Sequence, residues 1–346
     1  MERRSDRDWL DLWQALLDAE VSDSALDGVE SAYALLSEAL GSECYWHRDM
    51  SHPALEVEHG FGGGLVIGHM DGHRHGPGDG APRLRMDGEW VRGASPEQAS
   101  AGLITILLAL DELPEAVPYR LVIISDQTHG GQESRDLAVS RSKQAPLALM
   151  VEPGGEDGAV VVARAGFVHY DLEISDHHGH EESSSVVELS RQVLWLNQLR
   201  QGTLDTTVEV VRMTAEASSS AHAEVQVRVW TEPELSRISE ALAAPPVYDP
   251  ALHVEYRGGL CLPPMLIGAQ SNLWLARAGG VWRELTGKEL VGVRSSKAST
   301  ANYVAPWVVT LDGLGPWGHH EDQAVWWPSI QYRAKLLSRL LTLAAS

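Results

Sequence analysis

Three apolar stretches of this sequence each end in polar side chains that could do chemistry. The polar residues that follow the runs at 63–68, 120–124 and 145–151 are, in order, His69 and Asp71, Gln127, and Glu152. Short apolar runs are typical of buried strands in a parallel sheet, and ligand sites form at the carboxyl ends of such strands. We therefore expect imidazole, carboxylate and amide groups to meet at one edge of a sheet. On the residues alone, His69 and Asp71 form either part of such a site or a hydrogen-bonded structural pair.

The elements around these residues predict an α/β fold with a mixed, largely parallel sheet. Apolar periodicity predicts helices over residues 8–17, 24–40, 99–113, 266–285 and 329–343. Apolar runs predict strands over residues 52–58, 63–68, 120–124, 145–151 and 308–311, with a hairpin over 83–91. Strands that alternate with helices in this way indicate a parallel sheet with helices packed on it.

The pattern changes after Gly166. Residues 167–174 alternate like a half-exposed strand, and they are followed by a helix, two antiparallel strands and a second helix. The bounds predicted for these four elements are 184–199, 206–213, 221–230 and 232–243. We therefore predict a catalytic-type α/β domain of residues 1–165 and 266–346, with an inserted α+β lid domain of residues 166–265.

Composition excludes several classes of function. The chain has 346 residues, 44% of them hydrophobic, and a formal net charge of -21. Because nucleic acids and anionic membranes both require basic surface, we expect neither as a partner. No apolar run approaches the ~20 residues that span a bilayer, and no signal peptide follows the charged N-terminus. Cys44 and Cys261 lie far apart without metal-ligand spacing, so we expect a cytoplasmic protein.

Six short motifs occur in a fixed order along the chain. They lie at residues 68–72, 93–102, 126–135, 151–153, 163–166 and 313–319. Their order and spacing resemble those of the co-catalytic zinc peptidases related to glutamate carboxypeptidase, aminoacylase and succinyl-diaminopimelate desuccinylase (peptidase family M20). The resemblance covers nearly the whole chain. It implies a phosphorylase/hydrolase-like zinc-peptidase domain and a ferredoxin-like lid that also forms the dimer.

The resemblance also implies roles for individual residues. In that family two zinc ions share a bridging aspartate, and a glutamate acts as general base on the bridging water. Carried over residue by residue, His69 and Glu152 stand at ligand positions of one ion and His319 at a ligand position of the other. Asp71 stands where the family has the residue that orients the first histidine.

Three positions depart from the family's pattern. Gln98 stands at the bridging aspartate, Gln127 at the general base and Thr128 at a glutamate ligand of the second ion. A neutral amide cannot balance the charge of a metal pair or accept a proton, and threonine is too short to replace the glutamate. The remaining ligands fall short of the three or four usual for zinc. Four further histidines could fill a ligand position: His73, His75, His129 and His320.

Two lid residues correspond to substrate contacts of the family. His180 falls at the lid histidine that stabilises the tetrahedral intermediate in a partner subunit's site. Its neighbours His177 and His178 also fit a solvated loop. Arg228 matches the lid arginine that contacts a substrate carboxylate, and it equally fits a sheet-surface arginine.

Three functions follow as hypotheses. In the first, the chain has lost the di-zinc centre and the general base, and it binds a peptide or acyl-amino acid without ordinary hydrolysis. It then serves as a pseudoenzyme or binding protein, or catalyses a metal-independent step such as a cyclisation in a biosynthetic pathway; no cofactor is expected. In the second, an active amidohydrolase or carboxypeptidase uses a rebuilt single-metal site of His69, Glu152 and a neighbouring histidine, with zinc bound. In the third, the chain is a structural partner of an active homologue.

We also expect a homodimer through the lid. The resemblance implies this assembly, and the strand pattern at 225–230 suggests an exposed edge strand. Antiparallel edge strands that stay uncovered tend to pair with another chain.

Overall fold

A computed structural model describes residues 4–19, 26–71, 83–94, 99–155, 158–176, 183–200, 206–216, 220–319 and 322–346. The α-helices of these residues are α1 Asp6–Asp18, α2 Leu26–Leu40, α3 Ala99–Asp111, α4 Arg135–Ser142, α5 Ser185–Leu199, α6 Glu232–Ala243, α7 Ala269–Thr286, α8 Ala301–Val304 and α9 Trp327–Ala344. The strands are β1 Tyr45–His47, β2 Ala54–His59, β3 Gly64–His69, β4 Arg85–Asp87, β5 Trp90–Arg92, β6 Tyr119–Ile124, β7 Ala148–Met150, β8 Val160–Arg164, β9 Gly166–Ser175, β10 Thr207–Glu216, β11 Ser220–Val229, β12 His253–Leu262, β13 Gly292–Ser295, β14 Thr310–Leu311, β15 Gly318–His319 and β16 Ala324–Trp326.

The chain divides into two units. The first comprises Met1–Val162, Ile267–Arg294 and Ser299–Ser346, and the second comprises Ala163–Leu266 and Ser295–Ala298. None of the described helices is long and apolar enough to cross a membrane.

A six-stranded sheet with the order β1-β2-β6-β3-β7-β14 forms the centre of the first unit. Strand β3 pairs in parallel with both β6 and β7, and β7 pairs in parallel with β14. Strands β2 and β1 complete one side of the sheet in antiparallel pairing. The predicted α/β class with a mixed, largely parallel sheet is therefore confirmed.

Helix α3 is buried in the core of the first unit, where it packs on the sheet. Residues 99–109 of this helix are all buried, because it packs against α9, α1 and strand β3. A helix that is apolar all round belongs in the interior of a protein. Trp13 of α1 is also fully buried, and its indole Nε1 donates to Ser100 Oγ at 3.0 Å, so the amphipathic first helix is tied to α3.

The second unit follows the order β9, α5, β10, β11, α6, β12, which is the βαββαβ arrangement of a ferredoxin-like fold. Its sheet has the order β10-β11-β9-β12, with antiparallel pairing throughout. Buried and part-exposed residues alternate along β9 and β11, and the buried set packs against Leu196 of α5 and Ile238 of α6. The predicted ferredoxin-like α+β fold of the inserted segment is confirmed.

One strand of this sheet was missed from the sequence, and one expectation about it is wrong. Strand β12 was not predicted, because Gly258 and Gly259 interrupt its apolar alternation; both have positive φ, 141° and 151°. The strand predicted at 221–230 is not an edge, because β11 pairs with β10 on one side and with β9 on the other. The edges of the sheet are β10 and β12.

Candidate functional site

The residues predicted to do chemistry follow three neighbouring strands. Strand β3 lies between β6 and β7 in the sheet, and all three run in the same direction. Backbone hydrogen bonds continue to the strand ends, from Met70 N to Ile124 O at 2.9 Å and from Val151 N to Ile67 O at 3.0 Å. The side chains that follow the three strands therefore lie at the same edge of the sheet, as expected for a site in an open α/β fold.

His69 and Asp71 form a buried pair at the end of β3. His69 Nδ1 lies 2.8 Å from the backbone oxygen of Asp71 and 3.2 Å from its Oδ1. The other carboxylate oxygen, Oδ2, accepts hydrogen bonds from the backbone N–H of Thr128 and from its hydroxyl, the latter at 2.7 Å. The backbone N–H and the hydroxyl of Thr128 therefore both donate to Asp71.

A second carboxylate faces the other nitrogen of the same imidazole. His69 Nε2 lies 3.6 Å from Glu152 Oε1. Burial on its own lowers the pKa of His69, but the charges of Glu152 and Asp71 outweigh it and raise that pKa to about 9. Burial on its own raises the pKa of Asp71, but its hydrogen bonds to His69 and Thr128 outweigh this and lower that pKa to about 2. The carboxylates on either side of His69 therefore favour the protonated form of its imidazole.

Gln127 has a fixed orientation in this site. Its Oε1 accepts from the backbone N–H of Thr300 at 3.2 Å and from the Thr300 hydroxyl at 2.5 Å. Since a backbone N–H can only donate, the atom that faces it must be the amide oxygen. The amide nitrogen consequently points the other way, and Nε2 donates to Glu152 Oε1 at 3.0 Å.

The turn that carries Gln127 is held by a residue that the sequence did not single out. Asp126 is fully buried, and its carboxylate accepts from the backbone N–H groups of Glu133 and Ser134 at 2.9 and 3.0 Å and from the Ser134 hydroxyl at 2.6 Å. Its backbone oxygen accepts from His129 and Gly131. A carboxylate directly after a buried strand was the available signal for this role.

Thr300 was also missed, because it lies 173 residues from Gln127 in the sequence. Gly131, which has a φ of 63°, lies next to Thr300 in the structure. A Cβ at Gly131 would lie 3.0 Å from Thr300 Oγ1, so a larger residue would crowd this contact. Thr300 precedes α8 and follows Ser299, whose hydroxyl donates to the buried Asp312 at 3.0 Å.

The remaining predicted residues are not gathered around His69 by the described contacts. His319 is exposed, and its ring stacks on Trp90 with centroids 4.8 Å apart. The ring of His129 lies 5.1 Å from that of His52. Arg228, in the second unit, donates from Nη1 to Ser296 O at 2.8 Å and lies over the ring of Phe167. Seven of the residues named above fall outside the described ones: Gln98, His73, His75, His177, His178, His180 and His320.

The described donors of this site do not fit a two-metal centre. A bridged pair of zinc ions requires several anionic or imidazole ligands on each ion. Within the described residues, no group of three or more His, Cys, Asp or Glu side chains could hold a metal ion. Among the described residues, His69 and Glu152 supply two donors, and Glu152 Oε1 already accepts a hydrogen bond from the Gln127 amide.

Known proteins of the same fold were found by structure and not by sequence. No protein-family model matches the sequence, and no curated protein matches it. Aminopeptidase PepT from Bacillus cereus is 14% identical over 98% of each chain, with a TM-score of 0.75. The M20 family metallo-carboxypeptidase Sso-CP2 from Sulfolobus solfataricus is 12% identical over 99% of this chain and 100% of its own, with a TM-score of 0.69. The YxeP protein of Bacillus subtilis, a dinuclear metal-binding M20 peptidase, is 12% identical over 98% of this chain and 99% of its own, with a TM-score of 0.67.

The chain therefore has the fold of the M20 metallopeptidases, and the predicted resemblance is confirmed for the fold.

Proposed function

We propose that this chain binds a peptide or acyl-amino acid at the edge formed by the ends of β3, β6 and β7, and that it does not hydrolyse it by a two-metal route. The observation that carries the proposal is the orientation of Gln127. Its amide nitrogen donates to Glu152 and its amide oxygen is occupied by Thr300. A general base must offer a lone pair to the attacking water, and Gln127 presents an N–H group on the side that faces Glu152.

Thr128 supports the same proposal. Its hydroxyl and its backbone N–H both donate to Asp71, so the residue serves to fix the carboxylate beside His69. A chain of polar contacts thus connects, in order, Asp71, His69, Glu152, Gln127 and Thr300. This network is part-buried, and polar networks rigidify a site when their members are satisfied.

The proposed ligand class comes from the fold. The structural neighbours include an aminopeptidase and a metallo-carboxypeptidase, whose substrates are peptides. Arg228 and His180 remain proposed contacts for the ligand, with Arg228 directed at a carboxylate. Nη1 of Arg228 holds Ser296 O, and the side chain is part-exposed. We propose the cytoplasm as the location of the protein.

We further propose a homodimer through the second unit, now through strand β10. This edge strand exposes Val211 and Met213, which are 47% and 56% accessible. Helix α5 packs against β10 and exposes Leu194 at 65% and Val187 at 48%. An uncovered edge strand beside exposed apolar side chains is suited to pairing with a second copy.

Metal content and turnover test the proposed function. Protein purified without chelators is analysed for zinc, and its binding of dipeptides and N-acetyl amino acids is measured by calorimetry alongside cleavage by mass spectrometry. We expect substoichiometric zinc and binding without cleavage. Two zinc ions per chain, or cleavage that chelators abolish, would overturn the proposal. One zinc ion with cleavage would favour the rebuilt single-metal site.

A gain-of-ligand variant sharpens this test. Gln98→Asp, Gln127→Glu and Thr128→Glu together restore the family's carboxylates, so zinc content should rise because a bridged pair gains its anionic ligands. Gln127→Glu alone is the matched control, since it adds one carboxylate without a bridge. The proposal predicts that the control neither gains zinc nor gains hydrolysis.

A further inference from the structure

The interior of the first unit contains a buried arginine that makes no ion pair with the carboxylates of the described residues. Arg333 of α9 is fully buried, and its guanidinium lies beside two neighbouring indole rings, 5.0 Å from the centroid of Trp282 and 5.4 Å from that of Trp317. Burial lowers the pKa of Arg333 to about 9. Within the described residues, its Nε and Nη1 have no hydrogen-bond partner. Burying a guanidinium is costly, and an apolar side chain of similar volume would fill the space beside the two rings at lower cost.

The remaining nitrogen contacts the segment that follows Glu152. Arg333 Nη2 donates to Gly158 O at 2.8 Å and to Ala159 O at 3.1 Å. It also approaches Gly154 so closely that a Cβ there would lie 2.7 Å from it. The guanidinium is therefore packed directly against the backbone of the turn that begins at Glu152.

The other side of the same turn is held by backbone. Gly315 N donates to Glu152 O at 2.7 Å, and Gly154 N donates to Pro316 O at 3.2 Å. A Cβ at Gly315 would lie 2.6 Å from Glu152 O, so the two segments are in close contact. Residues 152–155 are thus enclosed between this segment and Arg333.

We propose that Arg333 is a positioning residue that sets the place of Glu152 through its contacts with the backbone at Gly154, Gly158 and Ala159. It contacts neither His69 nor Gln127, and it acts through the backbone that carries Glu152. The role rests on Glu152 being a site residue, as the proposed function requires. It holds whether the site binds or cleaves its ligand, because the contact between Glu152 and Gln127 exists without one.

The test uses four variants and two readouts that need no ligand. Arg333→Met removes the donors and keeps the volume, Arg333→Lys keeps the charge, and Gly154→Ala pushes against Nη2 from the side of the turn. Arg339→Met is the matched control, since Arg339 lies on the same helix and makes an exposed ion pair with Glu284 at 2.9 Å. Amide hydrogen exchange reports local opening, and the side-chain NH₂ signals of Gln127 report its bond to Glu152.

Arg333→Met should speed exchange of the Gly154 and Gly155 amides by about tenfold or more, while the amides of β3 keep the protection of the parent protein. The Gln127 NH₂ signals should move toward those of a solvated amide. Gly154→Ala should give the same two changes, and Arg333→Lys should give both to a smaller extent. Arg339→Met should give neither. Equal loss of protection across the whole first unit, or unchanged Gln127 signals, would overturn the proposal. If Arg333→Met does not fold, Arg333→Lys and Gly154→Ala decide the matter by the same readouts.

Discussion

An amide at position 127 satisfies two neighbours with opposite requirements. Thr300 presents donors, and Glu152 presents an acceptor. A neutral side chain with one oxygen and one NH₂ group meets both at once. A carboxylate of the same shape would accept from Thr300 but would place a second negative charge about 3 Å from Glu152. Like charges at this distance cannot both ionise without cost.

Gln127→Glu should therefore destabilise the protein in a pH-dependent way. In this variant the carboxyl groups at positions 127 and 152 repel each other when both are ionised. The pKa of one of them in the folded state is therefore raised above its unfolded value near 4.3. The folded state then binds the extra proton, so the penalty is small near pH 4 and grows as pH rises. We expect a loss of about 1–3 kcal/mol in the free energy of unfolding at pH 8, measured by urea denaturation.

Gln127→Met is the control for this prediction. It removes the same hydrogen bonds without adding a charge, so its loss of stability should be similar at pH 5 and pH 8. The interpretation of Gln127 as a donor to Glu152 would be wrong if Gln127→Glu were as stable as the parent protein at pH 8.

Part of the site could be predicted from the sequence and part could not. His69, Gln127 and Glu152 follow apolar runs, and the ends of neighbouring parallel strands necessarily meet. Thr300 follows no strand and lies in a segment without apolar periodicity, so nothing local connects it with Gln127. The same holds for Arg333, which the sequence presents as one polar position on a helix.

At the scale of elements, predictability followed the length and regularity of the apolar pattern. Helices α3 and α6 were predicted within two residues of their observed bounds, because α3 is a long apolar run that ends before Pro114 and α6 is amphipathic throughout. Strands β15 and β16 have two and three residues, too few for alternation to be visible. Strand β12 is long enough, but its two central glycines carry no side chain to alternate.

One carboxylate ties strand β2 to its neighbours. Glu56 is buried, and it accepts two hydrogen bonds from Arg141 of α4 at 2.6 and 2.9 Å and lies 3.0 Å from His47 of β1. Burial alone raises the pKa of Glu56, but its bonds to Arg141 and His47 outweigh this and hold the pKa below its usual range. A lowered pKa in the folded state contributes stability above the unfolded value near 4.3, and this contribution is lost as pH falls.

Glu56→Gln should consequently lower stability at pH 7 by about 1–2 kcal/mol and flatten its decline toward pH 4. Thermal unfolding at the two pH values measures both effects. Glu58→Gln on the same strand is the control, because Glu58 is half exposed and its pair with Arg120 should contribute little. Equal declines with acid in the parent protein and in Glu56→Gln would contradict the assignment.

The edge strand β10 gives a prediction about assembly. Val211→Lys combined with Met213→Lys places charges in the proposed interface, where desolvating them is unfavourable. Light scattering should show a dimer for the parent protein and a monomer for this variant. Val291→Lys is the matched control, since Val291 is 56% exposed in the first unit. A parent protein that is monomeric at micromolar concentration would refute the proposed dimer.

At the scale of the whole molecule, each unit has its own hydrophobic core. The described core of the first unit includes a large cluster that runs from Trp9 to Leu341. The described residues of the second unit form clusters between its sheet and its helices, with Val225 and Ile238 fully buried in one and Leu172 and Ala223 in another. A segment that closes a core of this kind could fold by itself.

We therefore predict that a fragment of residues 163–266 folds alone. It contains all four strands and both helices of the second unit, and it lacks Ser295–Ala298, whose backbone oxygens accept from Arg164 and Arg228. Those two side chains can be hydrated instead, so their loss of partners costs less than a lost core contact would. Circular dichroism should show one cooperative unfolding transition, with a stability of a few kcal/mol. Ile238→Asp, which buries a charge in the core, should abolish that transition. A fragment without cooperative unfolding would show that the inserted segment is not an independent domain.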